Sequence, residues 1–213
     1  MRKALEYATR QKARHRVRFM QILKHSHFSA TPWKNGGGIT LEAIRVPPGA
    51  EAYRWRVSIA HIDRPGPFSE FAGYRRIMVL LEGNGAALAF ADGRRMELRR
   101  VGDLAEFDGA AAVQCELIDG KCTDLNLIAA NSLGGMHAAV EHARGRRKVQ
   151  RREGHSTLVL GVDAPLAIDV GEGRALLGRW DLAVIEHTDP EAHFESQAPG
   201  GSALVFQATV PDA

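Results

Sequence analysis

Short apolar runs of strand length alternate along the chain with clusters of Gly, Pro, Asp and Asn. Segments such as "YRWRVSIAHI", "STLVLGV" and "SALVFQATV" are rich in β-branched residues or alternate with a period of two. Helical patterns are few: one lies in the N-terminal segment up to Val17, and a more ambiguous one spans 137–150. Many short strands at even spacing predict an all-β sandwich or barrel.

An internal repeat supports the barrel prediction. When the sequence is shifted by 78 residues, 82–107 aligns with 160–185 without a gap, and nine of the 26 positions are identical. Each copy consists of strand, turn, strand, turn, strand, which is the core of a small antiparallel barrel. We therefore expect two fused barrels with few helices, one in 20–150 and one in 151–213, after a basic extension, 1–19.

The positive net charge belongs to the N-terminal extension. Residues 1–19 hold seven Lys/Arg and one Glu, a net charge of +6. The net charge of the whole chain is +3, so the remaining residues carry −3. The extension is a nucleic-acid arm, an organellar transit peptide, or a disordered or mis-assigned start before Met20, and we favour the last. The acidic remainder disfavours nucleic acid as a partner. No apolar run approaches the roughly 18 residues of a membrane helix, so we expect a cytoplasmic protein without membrane contacts.

The two cysteines, Cys115 and Cys122, flank "LIDGK", a predicted hairpin turn. In a hairpin with Asp119-Gly120 as its two-residue turn, Cys115 faces Asp124 and Cys122 faces Leu117. The thiols are then diagonal neighbours, which disfavours a disulfide and fits a reducing compartment. Small buried side chains are the preferred interpretation of both cysteines.

The segment "TPWKNGGGIT", 31–40, places Pro, Trp, Lys and Asn before three consecutive glycines. Gly36–Gly38 permit positive φ or close approach of another backbone, and a run of N–H groups beside Lys34 suits an anion. The alternative is a tight bend where the N-terminal strand enters the barrel. The sequence leaves both interpretations open.

The segment 53–62 alternates between an apolar and a polar face. One face carries Tyr53, Trp55, Val57, Ile59 and His61, and the other carries Arg54, Arg56, Ser58, Ala60 and Ile62. On a sheet with one solvated face the polar side points to water. In a barrel the lumen can be the polar side, and an arginine there is a specific carboxylate receptor.

Five blocks of the sequence resemble the HutD/Ves family: "TPWKNGGGIT-E", "WRVSIAHI", "GPFSEFAGYRRIMVLLEG", "FDG" (107–109) and "DLNLI" (124–128). Their order and spacing match over nearly all of 20–210. The resemblance implies a cupin-type bicupin with RmlC-like jelly rolls and an accessory role in histidine utilisation, through binding of N-formylglutamate, formiminoglutamate or urocanate. Ala72 and Arg75 depart from the family pattern, which has Pro and an acid there, and the change at Arg75 could alter a local ion pair or the ligand preference.

The polar and aromatic side chains of these blocks form the expected ligand site. They are Trp33, Lys34, Asn35, Thr40, Glu42, Arg56, Ser58, His61, Ser69, Phe71, Arg76, Asp124 and Asn126. Structural roles remain open alternatives: Trp33 and His61 in a core, Ser69 as a turn cap, and Arg76 in an ion pair. Asp124 and Asn126 share one strand face and need partners, from either protein or ligand.

No metal or other cofactor is expected. A cupin metal site needs an H-x-H, a carboxylate a few residues on and a distant His. His25 and His27 have the first spacing, but no carboxylate follows until Glu42. We therefore predict a metal-independent protein that binds a small acidic metabolite and modulates histidine utilisation. A homodimer is compatible with this prediction. The alternatives are a metal-independent isomerase or hydrolase with His61 as acid/base, and a nucleic-acid regulator that uses the extension.

Overall fold

The computed structural model describes residues 15–17, 20–186 and 188–212, and strands dominate this part of the chain. Its two short 3-10 helices are His25–His27 and Asn131–Leu133. The strands, in chain order, are β1 (His15–Val17), β2 (Met20–Leu23), β3 (Ser29–Pro32), β4 (Gly38–Val46), β5 (Trp55–Ile62), β6 (Gly66–Pro67), β7 (Tyr74–Gly83), β8 (Ala86–Phe90), β9 (Arg95–Leu98), β10 (Leu104–Asp108), β11 (Val113–Leu117), β12 (Cys122–Ala130), β13 (His137–Arg144), β14 (Arg146–Lys148), β15 (His155–Gly161), β16 (Leu166–Val170), β17 (Gly173–Leu177), β18 (Leu182–Ile185), β19 (Ala192–Ser196) and β20 (Ser202–Pro211). Within the described residues, no helix is long and apolar enough to cross a membrane.

The strands form two compact units that differ from the predicted division at residue 150. The first unit is Phe28–Val140, and the second combines the described residues up to His27 with Glu141–Asp212. β2 belongs to the second unit because it pairs with β18, where Leu23 lies opposite Leu182. β1 pairs with β2, so 15–17 is a strand and not the predicted helix; the rest of 1–19 lies outside the described residues.

The first unit consists of two antiparallel sheets, here called the first barrel. Six strands are ordered β10-β7-β12-β5-β4-β3, and four are ordered β6-β11-β8-β9. Apolar side chains of both sheets pack together in the interior, among them Met78 and Leu80 from the larger sheet and Leu88 and Phe90 from the smaller. This burial of apolar surface is the main force that holds the sheets face to face.

The turn between β11 and β12 is as predicted, but the hairpin is not. Asp119 and Gly120 have φ of 49° and 112°, yet β11 pairs with β6 and β8 while β12 pairs with β5 and β7. The predicted register is wrong because this turn carries the chain from one sheet to the other. Cys115 and Cys122 are free and buried, as expected, and burial raises the pKa of each thiol to about 12.

The second unit, the second barrel, also contains two antiparallel sheets. Their strand orders are β1-β2-β18-β15-β20-β13 and β14-β19-β16-β17, so the ambiguous segment 137–150 forms strands. The repeat matches strand starts: β9 and β17 begin 78 residues apart, as do β10 and β18. The repeated aspartate precedes the last strand of each copy, where Asp103 Oδ2 accepts from Arg99 N at 2.8 Å and Asp181 Oδ2 accepts from Gly178 N at 2.7 Å.

Candidate ligand-binding cavity

The first barrel contains a cavity of about 580 Å³ on the inner face of its six-stranded sheet, a size that suits a small metabolite. Eleven of the predicted site residues line it: Trp33, Lys34, Asn35, Thr40, Glu42, Arg56, Ser58, Ser69, Phe71, Arg76 and Asn126. The remaining two, His61 and Asp124, do not. Residues that the sequence analysis did not single out also contribute, notably Arg45 and Phe68.

Strand pairing brings the polar side chains together in rows. Ser58 on β5 lies opposite Glu42 on β4 and Asn126 on β12, and directly opposite residues project from the same side of a sheet. Arg56 and Arg76 lie opposite the same residue of β12, Ile128, from its two sides. The polar face of β5 is therefore the cavity face, which settles the alternative that its alternation had left open.

A β-bulge places Arg45 in the cavity. The pairing of β4 with β5 shifts by one residue between Glu42 and Ile44, so Glu42 and Arg45 point to the same side although they are three residues apart. Arg45 Nη2 lies 2.6 Å from Glu42 Oε2, and its Nε lies 3.2 Å from the same oxygen. Regular alternation predicts the opposite side for Arg45, so the sequence pattern could not reveal it.

Arg56 and Ser58 line the cavity, and each has one buried polar atom without a partner among the described residues. Arg56 Nη1 lies 3.8 Å from Glu42 Oε2, and its guanidinium lies 5.5 Å from the centre of the Phe71 ring. Arg56 Nε and Ser58 Oγ are buried without a hydrogen-bond partner among the described residues. Because buried polar groups are normally satisfied, these two atoms indicate a place for a polar ligand.

Two residues that line the cavity, Arg76 and Asn126, form a buried hydrogen-bonded chain with Asp124 behind them. Arg76 Nε donates to Asn126 Oδ1 at 2.7 Å, and Asn126 Nδ2 donates to Asp124 Oδ2 at 2.5 Å. Phe68 covers the Arg76 guanidinium at 4.3 Å from its ring centre. Burial lowers the pKa of Arg76 to about 10 and raises that of Asp124 to about 6, against the opposing effects of their mutual attraction and of Asn126.

Asp124 was predicted to line the site, but it lies behind Asn126. Its exposed fraction is 0%, and its Oδ1 is buried without a partner among the described residues. Asp124 lies opposite Leu80 of the apolar core, and its Oδ2 accepts a hydrogen bond from Asn126, the residue of β12 that does line the cavity. Strand parity gave its face correctly but carries no information on depth along the barrel.

His61 also lies outside the cavity. It shares the face of Trp55 and Val57, as its parity allowed, and its Nδ1 lies 2.9 Å from Thr123 Oγ1. This position removes the geometric basis for His61 as a general acid or base toward a ligand in the cavity. No group of three or more His, Cys, Asp or Glu suited to a metal ion occurs in the described part of the chain.

The glycine loop is a tight bend that carries Lys34 and Asn35 to the rim of the cavity. Gly36 has φ of 67°, and a Cβ on Gly38 would collide with the carbonyl oxygen of His61. Gly36 N and Gly37 N donate to Trp33 O and Asn35 Oδ1, at 3.0 and 2.9 Å. These two N–H groups are thus used within the loop, which favours the tight bend over the anion cradle, the two interpretations that the sequence left open.

The loop with Phe68, Ser69 and Phe71 is anchored by the FDG block. Phe71 N donates to Gly109 O at 2.6 Å, and Gly109 N donates to Tyr74 O at 2.7 Å. A Cβ on Gly109 would lie 2.6 Å from Phe71 O, so only glycine permits this approach. The atypical Arg75 lies outside the cavity and pairs with Glu106 at 2.6 Å.

Two antiparallel barrels in one chain, with a polar cavity inside one of them, define a protein of the cupin fold. A cupin 2 conserved barrel domain protein from Leptotrichia buccalis has the same fold, with a TM-score of 0.59 and 9% identity over 93% of this chain and 98% of that chain. The all-β bicupin prediction is therefore confirmed.

The chain belongs to the HutD family, whose model matches residues 25–205. A protein from the hutC 3' region of Pseudomonas putida is 41% identical over 51% of this chain and 57% of its own length, and Protein Ves of Escherichia fergusonii is 35% identical over 45% and 50%. The alignments thus span only about half the length of these relatives.

HutD from Pseudomonas fluorescens SBW25 superposes with a TM-score of 0.73 and 26% identity over 91% of this chain and 100% of that chain. HutD is linked to histidine utilisation, as the resemblance implied.

Proposed function

We propose that the first barrel binds a small dicarboxylate from histidine degradation, of the N-formylglutamate type, and that this binding modulates histidine utilisation. The observation that carries the proposal is the convergence of Arg56, Arg76 and Arg45 on one cavity in which Arg56 Nε and Ser58 Oγ are buried without partners. Guanidinium groups bind carboxylates through paired, charge-assisted hydrogen bonds.

The charge of the site suits a dianion. Lys34 and the three arginines supply four positive groups, while Glu42 in the cavity and Asp124 behind it supply two negative ones. The surplus of two positive charges would be balanced by two carboxylates. Glu42 accepts from Arg45 and lies near Arg56, so it holds both guanidiniums at the cavity wall.

Calorimetric titration of the full chain with N-formylglutamate, formiminoglutamate, urocanate and glutamate tests the proposal. We expect micromolar binding of the N-substituted dicarboxylates, weaker binding of urocanate, which has one carboxylate, and loss of binding in Arg56→Gln. Arg75→Gln is the matched control, because Arg75 is adjacent in sequence to a cavity arginine but pairs with Glu106 outside the cavity. Folded protein that gives no heat with any of the four compounds would contradict the proposal.

The geometry gives an isomerase or hydrolase reaction no acid or base in the cavity at His61, because this residue lies off the cavity and contacts Thr123. Binding of nucleic acid by the basic extension concerns residues that lie largely outside the described part of the chain. A homodimer and a cytoplasmic location stay predictions.

A further inference from the structure

We infer that binding of a carboxylate ligand in the cavity is coupled to uptake of one proton by Asp124, a positioning residue that acts on Arg76 through Asn126. This inference rests on the proposed function and adds a regulation of the same site by pH. It assigns a role to a buried acid that touches neither solvent nor the cavity.

The hydrogen-bond geometry fixes the direction in which Arg76 can act. Asn126 Nδ2 is bound to Asp124 Oδ2, so its amide oxygen must face Arg76 Nε, to which it is bound at 2.7 Å. Arg76 thereby uses its inner nitrogen on the protein, and its Nη groups are left for a ligand in the cavity that it lines. Asp124 holds this arrangement through the amide and makes no direct contact with a ligand.

Few charged groups face Asp124, so its ionisation depends on Arg76. The titratable groups that affect it from the surrounding strands are Arg76 on β7, Cys115 on β11 and Cys122 on its own strand. Both thiols are neutral near pH 7, because burial raises their pKa to about 12. The neighbours opposite Asp124 on β5 and β7, Ala60 and Leu80, are apolar.

A ligand carboxylate bound to Arg76 changes the protonation equilibrium of Asp124. The Asp124 carboxylate then shares its one counter-charge with a second anion in a region of low dielectric, which favours the protonated acid. Asp124 Oδ1, which is buried without a partner among the described residues, is the oxygen that receives the proton. Since burial already raises the pKa of Asp124 to about 6, a further rise on binding moves its titration through neutral pH.

Proton uptake makes binding tighter in acid. If one proton is taken up for each ligand bound, the affinity for a ligand whose own carboxyl groups stay ionised rises by up to about tenfold for each pH unit by which the pH is lowered. N-formylglutamate is such a ligand between pH 6 and 8. The expected result for wild type is therefore a dissociation constant that falls as the pH is lowered from 8 to 6.

Calorimetry of the full chain with N-formylglutamate at pH 7, in buffers of different ionisation enthalpy, counts the protons taken up. We expect uptake by wild type and none by Asp124→Asn, which keeps the acceptor for Asn126 and should bind with an affinity independent of pH from 6 to 8. Glu106→Gln, an exposed acid outside the cavity, is the matched control and should behave as wild type. Uptake that persists in Asp124→Asn, or binding by wild type without uptake, would overturn the inference.

Carboxyl-resolved NMR titration of wild type gives a second readout that does not require the variant to fold. The Asp124 signal should titrate at a higher pH with ligand than without it, and an unchanged titration would refute the coupling. Absence of binding by wild type is a different outcome, because it removes the proposed function together with the coupling built on it.

Discussion

Both barrels contain polar side chains next to an apolar core, and two such sites, Gln207 in the second barrel and Arg56 with Ser58 in the first, differ in how their polar atoms are paired. In the second barrel, Gln207 lies opposite Val159 of the core, donates to Glu141 Oε1 at 2.6 Å, and accepts from Gln150 N at 3.1 Å. In the first barrel, Arg56 Nε and Ser58 Oγ are buried without protein partners among the described residues.

The difference shows how a duplicated architecture can separate stability from binding. A polar group that is satisfied inside the protein stabilises the fold and offers nothing to a ligand. A buried group left unsatisfied costs stability until a ligand supplies its partner. The same arrangement of strands thus carries a closed polar contact in the second barrel, where Gln207 has protein partners, and open polar groups in the first barrel, where Arg56 Nε and Ser58 Oγ have none among the described residues. Substitutions in each barrel test this difference.

The largest expected effect is on ligand affinity in the first barrel. Arg76→Gln removes a guanidinium that can make charge-assisted hydrogen bonds worth about 1.5–3 kcal/mol, so the affinity for N-formylglutamate should fall about 10- to 100-fold. Titration calorimetry measures the loss, and thermal unfolding verifies the fold. Wild-type affinity in Arg76→Gln would show that the open polar groups of the first barrel are not its ligand site.

The next effect is a pH dependence of stability confined to the first barrel. The folded-state pKa of Asp124, about 6, lies above the ordinary value of 3.8. Its contribution to stability is therefore fully present below about pH 4 and is lost as the pH rises through about 6. The free energy of unfolding of wild type relative to Asp124→Asn should fall by on the order of 2–3 kcal/mol between pH 4 and 8.

Urea denaturation across this pH range measures that difference. Gln207→Leu, in the second barrel, should retain the wild-type pH dependence, whereas Asp124→Asn should lack the part of it that Asp124 contributes. Equal pH dependence in wild type and Asp124→Asn would mean that Asp124 does not titrate in this range.

A smaller effect is expected when the closed polar contact is removed. Gln207→Leu removes the partner of Gln150 N and of Glu141 Oε1, which should cost about 1–2 kcal/mol of unfolding free energy. Ligand affinity should stay within about twofold of wild type, because Gln207 is not part of the cavity. A large loss of affinity would show that the two barrels do not divide stability and binding as described.

The smallest effect on stability is expected at Ser58. Ser58→Ala removes a hydroxyl that has no protein partner among the described residues, so the free energy of unfolding should change by less than about 0.5 kcal/mol or rise slightly. Affinity for N-formylglutamate should fall about three- to tenfold, the worth of one hydrogen bond. A marked loss of stability would place a hidden partner at Ser58 Oγ.

Much of the fold and the site followed from local patterns. The period-two alternation of β5 separated Arg56 and Ser58 from His61, and the 78-residue repeat gave corresponding strand starts. The predictions that were wrong concern pairing between strands that are distant in the sequence. The Asp119-Gly120 turn is visible in the sequence, but the different sheets that β11 and β12 enter are not.

The failure to predict Arg45 as a cavity residue has a related cause. Arg45 joins Glu42 only because a bulge inserts one extra residue in β4, and nothing in "TLEAIRV" marks this break in alternation. The assignment of β2 to the second barrel depends likewise on its pairing with β18, far along the chain. Sequence periodicity reports the face of a residue, whereas register and depth are set by partners that lie elsewhere in the sequence.

Trp33 gives this chain an intrinsic optical reporter. Of its three tryptophans, Trp55 and Trp180 are buried at 3% and 7% exposure, while Trp33 is partly exposed and lines the cavity. The Trp33 indole is held by a hydrogen bond of 2.8 Å from its Nε1 to Thr40 Oγ1. Fluorescence therefore comes from two buried emitters and one at the cavity, so ligand occupancy can be followed by emission without any attached dye.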